Sequence, residues 1–152
     1  MGGGLEVALG CDLRVATPQS RFATPECKLG IIPGCGATAR LPRIVGRGWG
    51  MEMMLMGEPI DASRALQMGL VTRLVESDEL LNEVARMAQH LASFAPFVPR
   101  TMKAMVHFGM EASLAGALMF EKYAQGALVQ TEDKAEGIAA FLEKRTPEFK
   151  GK

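Results

Sequence analysis

The chain has 152 residues, of which 48% are hydrophobic and 22% charged, a composition typical of a globular domain with a core. Lysine plus arginine and aspartate plus glutamate both number 17, so no charge excess indicates a nucleic-acid-binding surface. The three cysteines form no CxxC pair and have no nearby histidine, which argues against a zinc site and indicates reduced thiols. No signal peptide or membrane span is visible.

The first third of the chain is predicted to hold a short helix and two short strands, followed by a loop. Apolar residues over 5–9 indicate the helix, and LRVAT (13–17) and RFAT (21–24) have the β-branched or alternating character of strands. The segment over 25–36 contains two prolines and three glycines, so it is predicted to be mostly loop. Loops on a rigid scaffold are where functional sites concentrate.

The rest of the chain is predicted to be mainly helical. GATARLPRIVG (36–46) indicates a short helix broken near Pro42. The further predicted elements are helices over 49–57 and 61–69, a strand over 70–75, and helices over 77–94, from about Pro99 into the 120s, and over 131–145. Asp61 or Ser63 can cap the helix over 61–69. So few strands cannot make a self-sufficient sheet, which indicates that the chain lacks a partner segment.

The first candidate site is Glu6, at the start of a helix entered through Gly2, Gly3 and Gly4. A glycine run before a helix can present bare backbone N–H groups to a negatively charged oxygen. The alternative is purely structural, because acids are favoured in first helical turns and glycines accept any entry angle.

The second candidate is Glu26, which follows Pro25 in the predicted loop, twenty residues after Glu6. A helix, strand and loop of that length can bring the two carboxylates together, and paired carboxylates can hold and activate a water molecule. A solvated role on a surface loop is the alternative.

GCGATA (34–39) fits the dinucleotide-binding pattern GxGxxA. That pattern requires a strand before it and an uninterrupted helix followed by a second strand. Pro33 and Pro42 contradict this context, so nucleotide binding is disfavoured.

Three segments carry a resemblance to a known family: GGGLEVALGCDLRVAT (2–17), FATPECKLGIIPGCGATARLPRIVG (22–46) and GEPIDASRALQMGLVTRLV (57–75). Through them the chain resembles the crotonase superfamily, and most closely its enoyl-CoA hydratases. The ending EGIAAFLEKRTPEFKGK (136–152) resembles the C-terminal end of that family. The resemblance implies an α/β fold with a crotonase-like (ClpP/crotonase) spiral ββα core. Residues 1–75 would form part of that core, incomplete here, and residues 76–152 a helical trimerisation region.

The resemblance implies hydration of 2-trans-enoyl-CoA thioesters by syn addition of water. Glu6 and Glu26 match the two catalytic glutamates, which hold a water, add it across the 2,3-double bond and protonate the α-carbon. Gly3 matches the glycine whose N–H forms one half of an oxyanion hole for the thioester carbonyl. Gly34 matches a glycine whose backbone orients the water.

Phe141 and Lys144 match tail residues that contact the CoA phosphates and line a neighbouring subunit's pocket. The resemblance therefore implies a homo-oligomer, a trimer or a dimer of trimers, acting on an acyl-CoA thioester without nucleic-acid or membrane partners. No metal is expected, and no cofactor apart from the coenzyme A of the substrate. The expected location is the bacterial cytoplasm, with a mitochondrial origin as the alternative.

The first half of the family's chain has no counterpart here. That half contains most of the spiral sheet, most of the CoA-binding loop and the second N–H of the oxyanion hole. We therefore expect a fragment, a truncated gene model or an internal start, and a chain that aggregates or oligomerises by itself. Ala37 and Ala39 replace the family's common glycine and glutamine.

The alternatives to a hydratase are a non-catalytic assembly partner, or an isomerase, hydrolase or dehalogenase on the same fold. Isomerases of the family usually lack one of the two glutamates, so Glu6 and Glu26 favour hydration.

Overall fold

The computed structural model describes residues 1–152 and divides the chain into two compact units, Met1–Val84 and Ala85–Lys152. The helices are α1 (Gly3–Leu9), α2 (Ala37–Val45), α3 (Arg47–Met56), α4 (Ala62–Gln67), α5 (Leu80–Ala92), α6 (Phe97–Glu111), α7 (Leu114–Val129) and α8 (Glu132–Glu143), together with a 3₁₀ helix (Pro25–Leu29). The strands are β1 (Val15–Ala16), β2 (Arg21–Phe22), β3 (Ile60–Asp61) and β4 (Arg73–Leu74). None of these helices has the length and apolar character that crossing a bilayer requires.

The first unit contains two small sheets. Strand β1 pairs in parallel with β4, and β2 pairs antiparallel with β3. The strands predicted over 13–17, 21–24 and 70–75 are confirmed in position, but each is only two residues long. Strand β3 was not predicted, because its two residues show no alternation and pair with a segment far along the chain.

The core of the first unit is a cluster of buried apolar side chains from the helices and from the segments around β1 and β4. Its members are Leu5, Leu9, Ala16, Ala37, Leu41, Val45, Met53, Ala65, Leu70 and Val71. Leu5 and Leu9 are one helical turn apart, so α1 presents one apolar face to this core. Burial of a leucine side chain contributes roughly 1.5–3 kcal/mol.

Helix α2 runs through Pro42 without a break, so the predicted interruption near this residue is wrong. Proline removes one helical hydrogen bond and is costly inside a helix. Here α2 packs against α3, and a Cβ at Gly50 would lie only 2.9 Å from the Pro42 Cα. Close packing against the glycine, together with the buried Leu41 and Val45, holds the helix together around the proline.

Two further elements of this unit begin at residues with a local structural signal. Of the two predicted caps, Asp61 and Ser63, it is the Asp61 side chain that caps α4, by accepting a hydrogen bond from the Arg64 amide at 2.7 Å. The segment over 25–36, predicted to be mostly loop, begins with a 3₁₀ helix that ends at Gly30 in a left-handed conformation. Pro25 at its first position has the φ that a helical start requires, which explains the extra turn.

In the second unit, the single helix predicted from about Pro99 into the 120s is wrong, because the chain forms α6 and α7 with a break between them. Ala112 is extended, and the Ser113 side chain caps α7 by accepting from the Gly116 amide at 3.2 Å. The two helices pack closely, with the Phe108 and Phe120 rings edge to face at 4.6 Å. A serine that can cap a helix therefore outweighs a continuous apolar pattern.

The C-terminal tail folds back onto α8. The predicted start of this helix at Thr131 is confirmed, because the Thr131 side chain accepts a hydrogen bond from the Lys134 amide. The buried Asp133 carboxylate accepts hydrogen bonds from the amides of Lys150 and Gly151 at 2.6 and 2.8 Å. These bonds satisfy the buried charge and tie the last residues to the first turn of the helix.

An ion pair fastens the beginning of the tail. Arg145 donates to both carboxylate oxygens of Glu136, at 2.5 and 2.9 Å, and the Glu148 amide donates to one of them at 2.8 Å. Hydrogen bonding by the Arg145 guanidinium, and then by the Glu148 amide, lowers the pKa of Glu136 to about 2.

Candidate active site

Glu6 is a buried acid on the core-facing side of α1, with only 4% of its surface exposed. Its Oε1 accepts two backbone hydrogen bonds, from the amide of Cys35 at 2.8 Å and from that of Ala37 at 3.0 Å. Buried carboxylates need such partners, because loss of hydration is otherwise expensive. Both bonds end on the same oxygen, so Oε2 is left without a protein donor and can serve a bound molecule.

The two amides converge because Gly36 stands between them in a left-handed conformation with φ +108°. A left-handed residue between two N–H groups turns both to one side and creates a small anion-binding concavity. Gly36 is also the N-cap of α2, and its carbonyl accepts from the Arg40 amide at 2.9 Å. The same residue therefore begins α2 and orients the two amides that bind the Glu6 carboxylate.

Glu26 lies in the first turn of the 3₁₀ helix and is half-buried. Its Oε2 is buried and has no hydrogen-bond partner in the protein. Buried polar atoms are nearly always hydrogen-bonded, so an isolated one indicates a place for water or ligand. The preceding Thr24 is fully buried and donates through its hydroxyl to the Met53 carbonyl at 3.1 Å, which anchors this turn to α3.

The structure connects the segments that carry Glu6 and Glu26 through Gly2. The Gly2 amide donates to the Ala23 carbonyl at 2.9 Å, and the Gly2 carbonyl accepts from the Glu6 amide at 3.1 Å. A Cβ at Gly2 would lie 3.1 Å from Oε1 of Glu26. The backbone of Glu6 and the carboxylate of Glu26, twenty residues apart in the chain, thus both contact Gly2.

Gly3 and Gly34, predicted as backbone donors, lie next to these contacts. Gly3 is the first residue of α1, where the amide has no acceptor within the helix. Gly34 is exposed and immediately precedes Cys35. A Cβ at either glycine would meet nothing within 4 Å, so the backbone there is open to approach.

Phe141 and Lys144 belong to the second unit. Phe141 lies on α8 with 81% of its surface exposed. Lys144 ends that helix with φ +56°, and it is the one residue other than glycine with a positive φ. Their contact with coenzyme A stays a prediction.

Sequence reasoning missed the residues that hold the two acids. Cys35 draws attention in the sequence only as a thiol, whereas its amide holds Glu6, and all three cysteines are exposed free thiols. Gly36 stands out only as part of a nucleotide-binding pattern. The sequence does show that Gly36 directly precedes a helix, which is compatible with a left-handed N-cap. It does not indicate that the neighbouring amides bind Glu6.

Several solved structures share the fold of this chain. An enoyl-CoA hydratase from Bacillus anthracis superposes with a TM-score of 0.97 at 38% identity, covering 99% of this chain and 58% of that one. An enoyl-CoA hydratase from Geobacillus kaustophilus gives a TM-score of 0.94 at 40% identity, with 99% and 59% coverage. The predicted crotonase fold is therefore confirmed for the part of it that this chain spans.

Relatives in sequence point to the same group of proteins. The chain is 41% identical to the short-chain-enoyl-CoA hydratase of Clostridium acetobutylicum, over 95% of this chain and 56% of the relative. It is 42% identical to the 2,3-dehydroadipyl-CoA hydratase of Escherichia coli, over 100% of this chain and 60% of the relative. It thus spans somewhat more than half the length of these relatives. The family model for enoyl-CoA hydratase/isomerase matches residues 1–152, and the chain belongs to that family.

Proposed function

We propose that the protein is an enoyl-CoA hydratase, a lyase that adds water in syn fashion across the double bond of 2-trans-enoyl-CoA thioesters. The observation that carries the proposal is the pair of glutamates around Gly2. One acid has an oxygen held by two amides, and the other has a buried oxygen without a partner. The names of the relatives from Clostridium acetobutylicum and Escherichia coli support this reaction class.

The chemistry requires a base and an acid on one side of the substrate. One carboxylate takes a proton from water while the water oxygen bonds to C3, and a carboxyl group supplies a proton to C2. During the addition, negative charge moves onto the thioester carbonyl oxygen. Glu6 and Glu26 are proposed to fill these roles, Glu6 through the carboxylate oxygen that the two amides leave free and Glu26 through its unpartnered Oε2.

Backbone donors stabilise the charge that develops on the carbonyl oxygen. The Gly3 amide, unpaired within α1, is the proposed oxyanion donor, and the Gly34 backbone is proposed to orient the water. One such preorganised donor contributes about 2.7–4 kcal/mol to the lowering of the barrier. The open space beside both glycines supports their accessibility.

The remaining assignments concern the whole protein. We infer that Phe141 and Lys144 contact coenzyme A, across subunits in a trimer or a dimer of trimers, and that the enzyme works in fatty acid metabolism. We propose a cytoplasmic location, with the mitochondrion as the alternative.

The test is loss of the enoyl-thioester absorbance when the purified 152-residue chain is mixed with crotonyl-CoA. Glu6→Gln and Glu26→Gln are compared with Glu52→Gln, an exposed glutamate on α3 that serves as matched control. We expect any turnover of the unaltered chain to persist in the control and to be lost in the other two variants. Turnover that survives Glu26→Gln would contradict the assigned roles.

A second candidate is a non-catalytic assembly partner of a crotonase-fold enzyme. Several large apolar side chains in the first unit favour it, since Val7, Leu29 and Ile32 are each more than 70% exposed. This candidate predicts no turnover by the chain alone and co-purification with a longer subunit. Isomerase and hydrolase activity are tested on the same samples with a 3-enoyl-CoA and by release of free coenzyme A thiol.

A further inference from the structure

Gly2 makes four contacts that no other residue of the site combines. Its amide donates to Ala23 at 2.9 Å, three residues before Glu26, and its carbonyl accepts from Leu5 at 2.8 Å and Glu6 at 3.1 Å to begin α1. Its Cα faces the carboxylate of Glu26, because a Cβ there would lie 3.1 Å from Oε1. The same residue therefore touches one acid and starts the helix that bears the other.

The backbone conformation of Gly2 disfavours any residue with a side chain at this position. Its φ of +55° and ψ of −134° are close to the mirror image of the polyproline II conformation, a region that is open to glycine and strained for L side chains. The free space is also limited, because a methyl group at 3.1 Å from Oε1 forces one of the two partners to move. The carboxylate is the partner that can yield, since its Oε2 has no hydrogen bond to hold it.

We propose that Gly2 is a positioning residue that sets where the Glu26 carboxylate lies relative to the start of the helix carrying Glu6. This inference rests on the proposed function for its catalytic meaning, but the position of the carboxylate can be measured without substrate. Small displacements matter in such a pair, because a misplacement on the order of 1 Å can lower the rate about a hundredfold.

The test compares Gly2→Ala with Gly69→Ala. Gly69 has φ +74°, and a methyl group there would meet nothing within 4 Å, so it tests a positive φ without a carboxylate nearby. The chain carries ¹³C at the glutamate side-chain carboxyl carbons, and Glu6→Gln and Glu26→Gln assign the two signals. Mass spectrometry verifies that Met1 is retained.

We expect Gly2→Ala to move the Glu26 carboxyl resonance and Gly69→Ala to leave it in place. An unmoved Glu26 signal in folded Gly2→Ala, or an equal displacement in Gly69→Ala, overturns the proposal. If the chain hydrates crotonyl-CoA, Gly2→Ala lowers kcat by about 10- to 100-fold with KM changed less than about twofold. A chain without turnover still gives the resonance result, so failure of the proposed function and failure of this inference are separate outcomes.

A double-mutant cycle covers the case in which Gly2→Ala does not fold. Glu26→Ala removes the carboxylate that the new methyl group would meet. Gly2→Ala is therefore expected to lower the melting temperature less in the Glu26→Ala background than in the unaltered chain. An equal loss, or a double variant that is also unfolded, would assign the effect to backbone strain alone and overturn the proposal.

Discussion

Glu6 and Cys35 are joined by a 2.8 Å hydrogen bond from the Cys35 amide to the carboxylate Oε1, across 29 residues of sequence. The bond links the helix that bears the acid to the loop that precedes α2. Ala37 supplies a second amide to the same oxygen at 3.0 Å. The loop therefore holds the acid in one orientation and leaves its other oxygen available.

Replacing Gly36 with alanine is expected to lower activity by more than its effect on folding explains. The substitution strains a residue at φ +108° and disturbs the two amides that hold Glu6. Gly46→Ala is the control for a positive φ at a helix N-cap, because Gly46 begins α3 at φ +82°. Unlike Gly36, whose added methyl group would displace the flexible Arg40 guanidinium, Gly46 has open space around it. Both variants should lose about 1–3 kcal/mol of unfolding free energy in urea titrations. Only Gly36→Ala should also lower kcat, by roughly 10- to 100-fold, and an equal kcat in the two variants would contradict the role of this loop.

Substitutions of Glu6 should separate its structural role from its chemistry. Glu6→Gln keeps an oxygen for the amides of Cys35 and Ala37, so the free energy of unfolding should change by less than about 1 kcal/mol. Glu6→Ala leaves both amides without an acceptor, at a cost of about 1–3 kcal/mol for each one that stays buried. Chemical denaturation measures the difference. Equal stability of the two variants would mean that water replaces the carboxylate as acceptor.

Thr24→Val should destabilise the turn that carries Glu26. The Thr24 hydroxyl is fully buried and donates to the Met53 carbonyl, which also accepts from the Gly57 amide. Because that carbonyl keeps one partner, the expected loss is about 0.5–1.5 kcal/mol rather than the cost of an unpaired group. Thr38→Val on the exposed face of α2 is the control and should stay within about 0.5 kcal/mol. Urea titration of the two variants provides the comparison.

The free energy of unfolding should decrease at acid pH because Glu136 becomes protonated. The pKa of this residue is lowered from 4.5 to about 2 by hydrogen bonds from Arg145 and the Glu148 amide. A lowered folded-state pKa means that the unfolded chain binds the proton more tightly, so this stabilisation is present above pH 4.5 and is lost as the pH falls to about 2. The pair is solvent-accessible, so salt should weaken the effect.

Glu136→Gln should remove this part of the pH dependence between about 4.5 and 2, measured by urea denaturation at several pH values. Glu121→Gln on α7, whose exposed side chain has no comparable partner, should leave it intact. A pH profile unchanged by Glu136→Gln would contradict the assignment of this pH dependence to Glu136.

Several elements of the fold could be predicted because their signals are local. The Asp61 cap acts on an amide three residues away, and the helix predicted over 131–145 begins next to Thr131, which caps it in the same way. The break before α7 was also signalled locally by Ser113, but the continuous apolar pattern masked it. Pro42 failed as a helix breaker for the opposite reason, since its helix is held by packing against Gly50 on α3.

By itself, the sequence determined the candidate acids, the capped helices and the resemblance to a family, because residue types and short-range spacing carry that information. Only the tertiary structure decided that Cys35 and Ala37 hold one oxygen of Glu6 and that Glu26 faces Gly2. These contacts join residues more than twenty positions apart, and glycine and backbone amides carry no side-chain signal. Their positions follow from how α1, α2 and the 3₁₀ helix pack around the core, which no local pattern specifies.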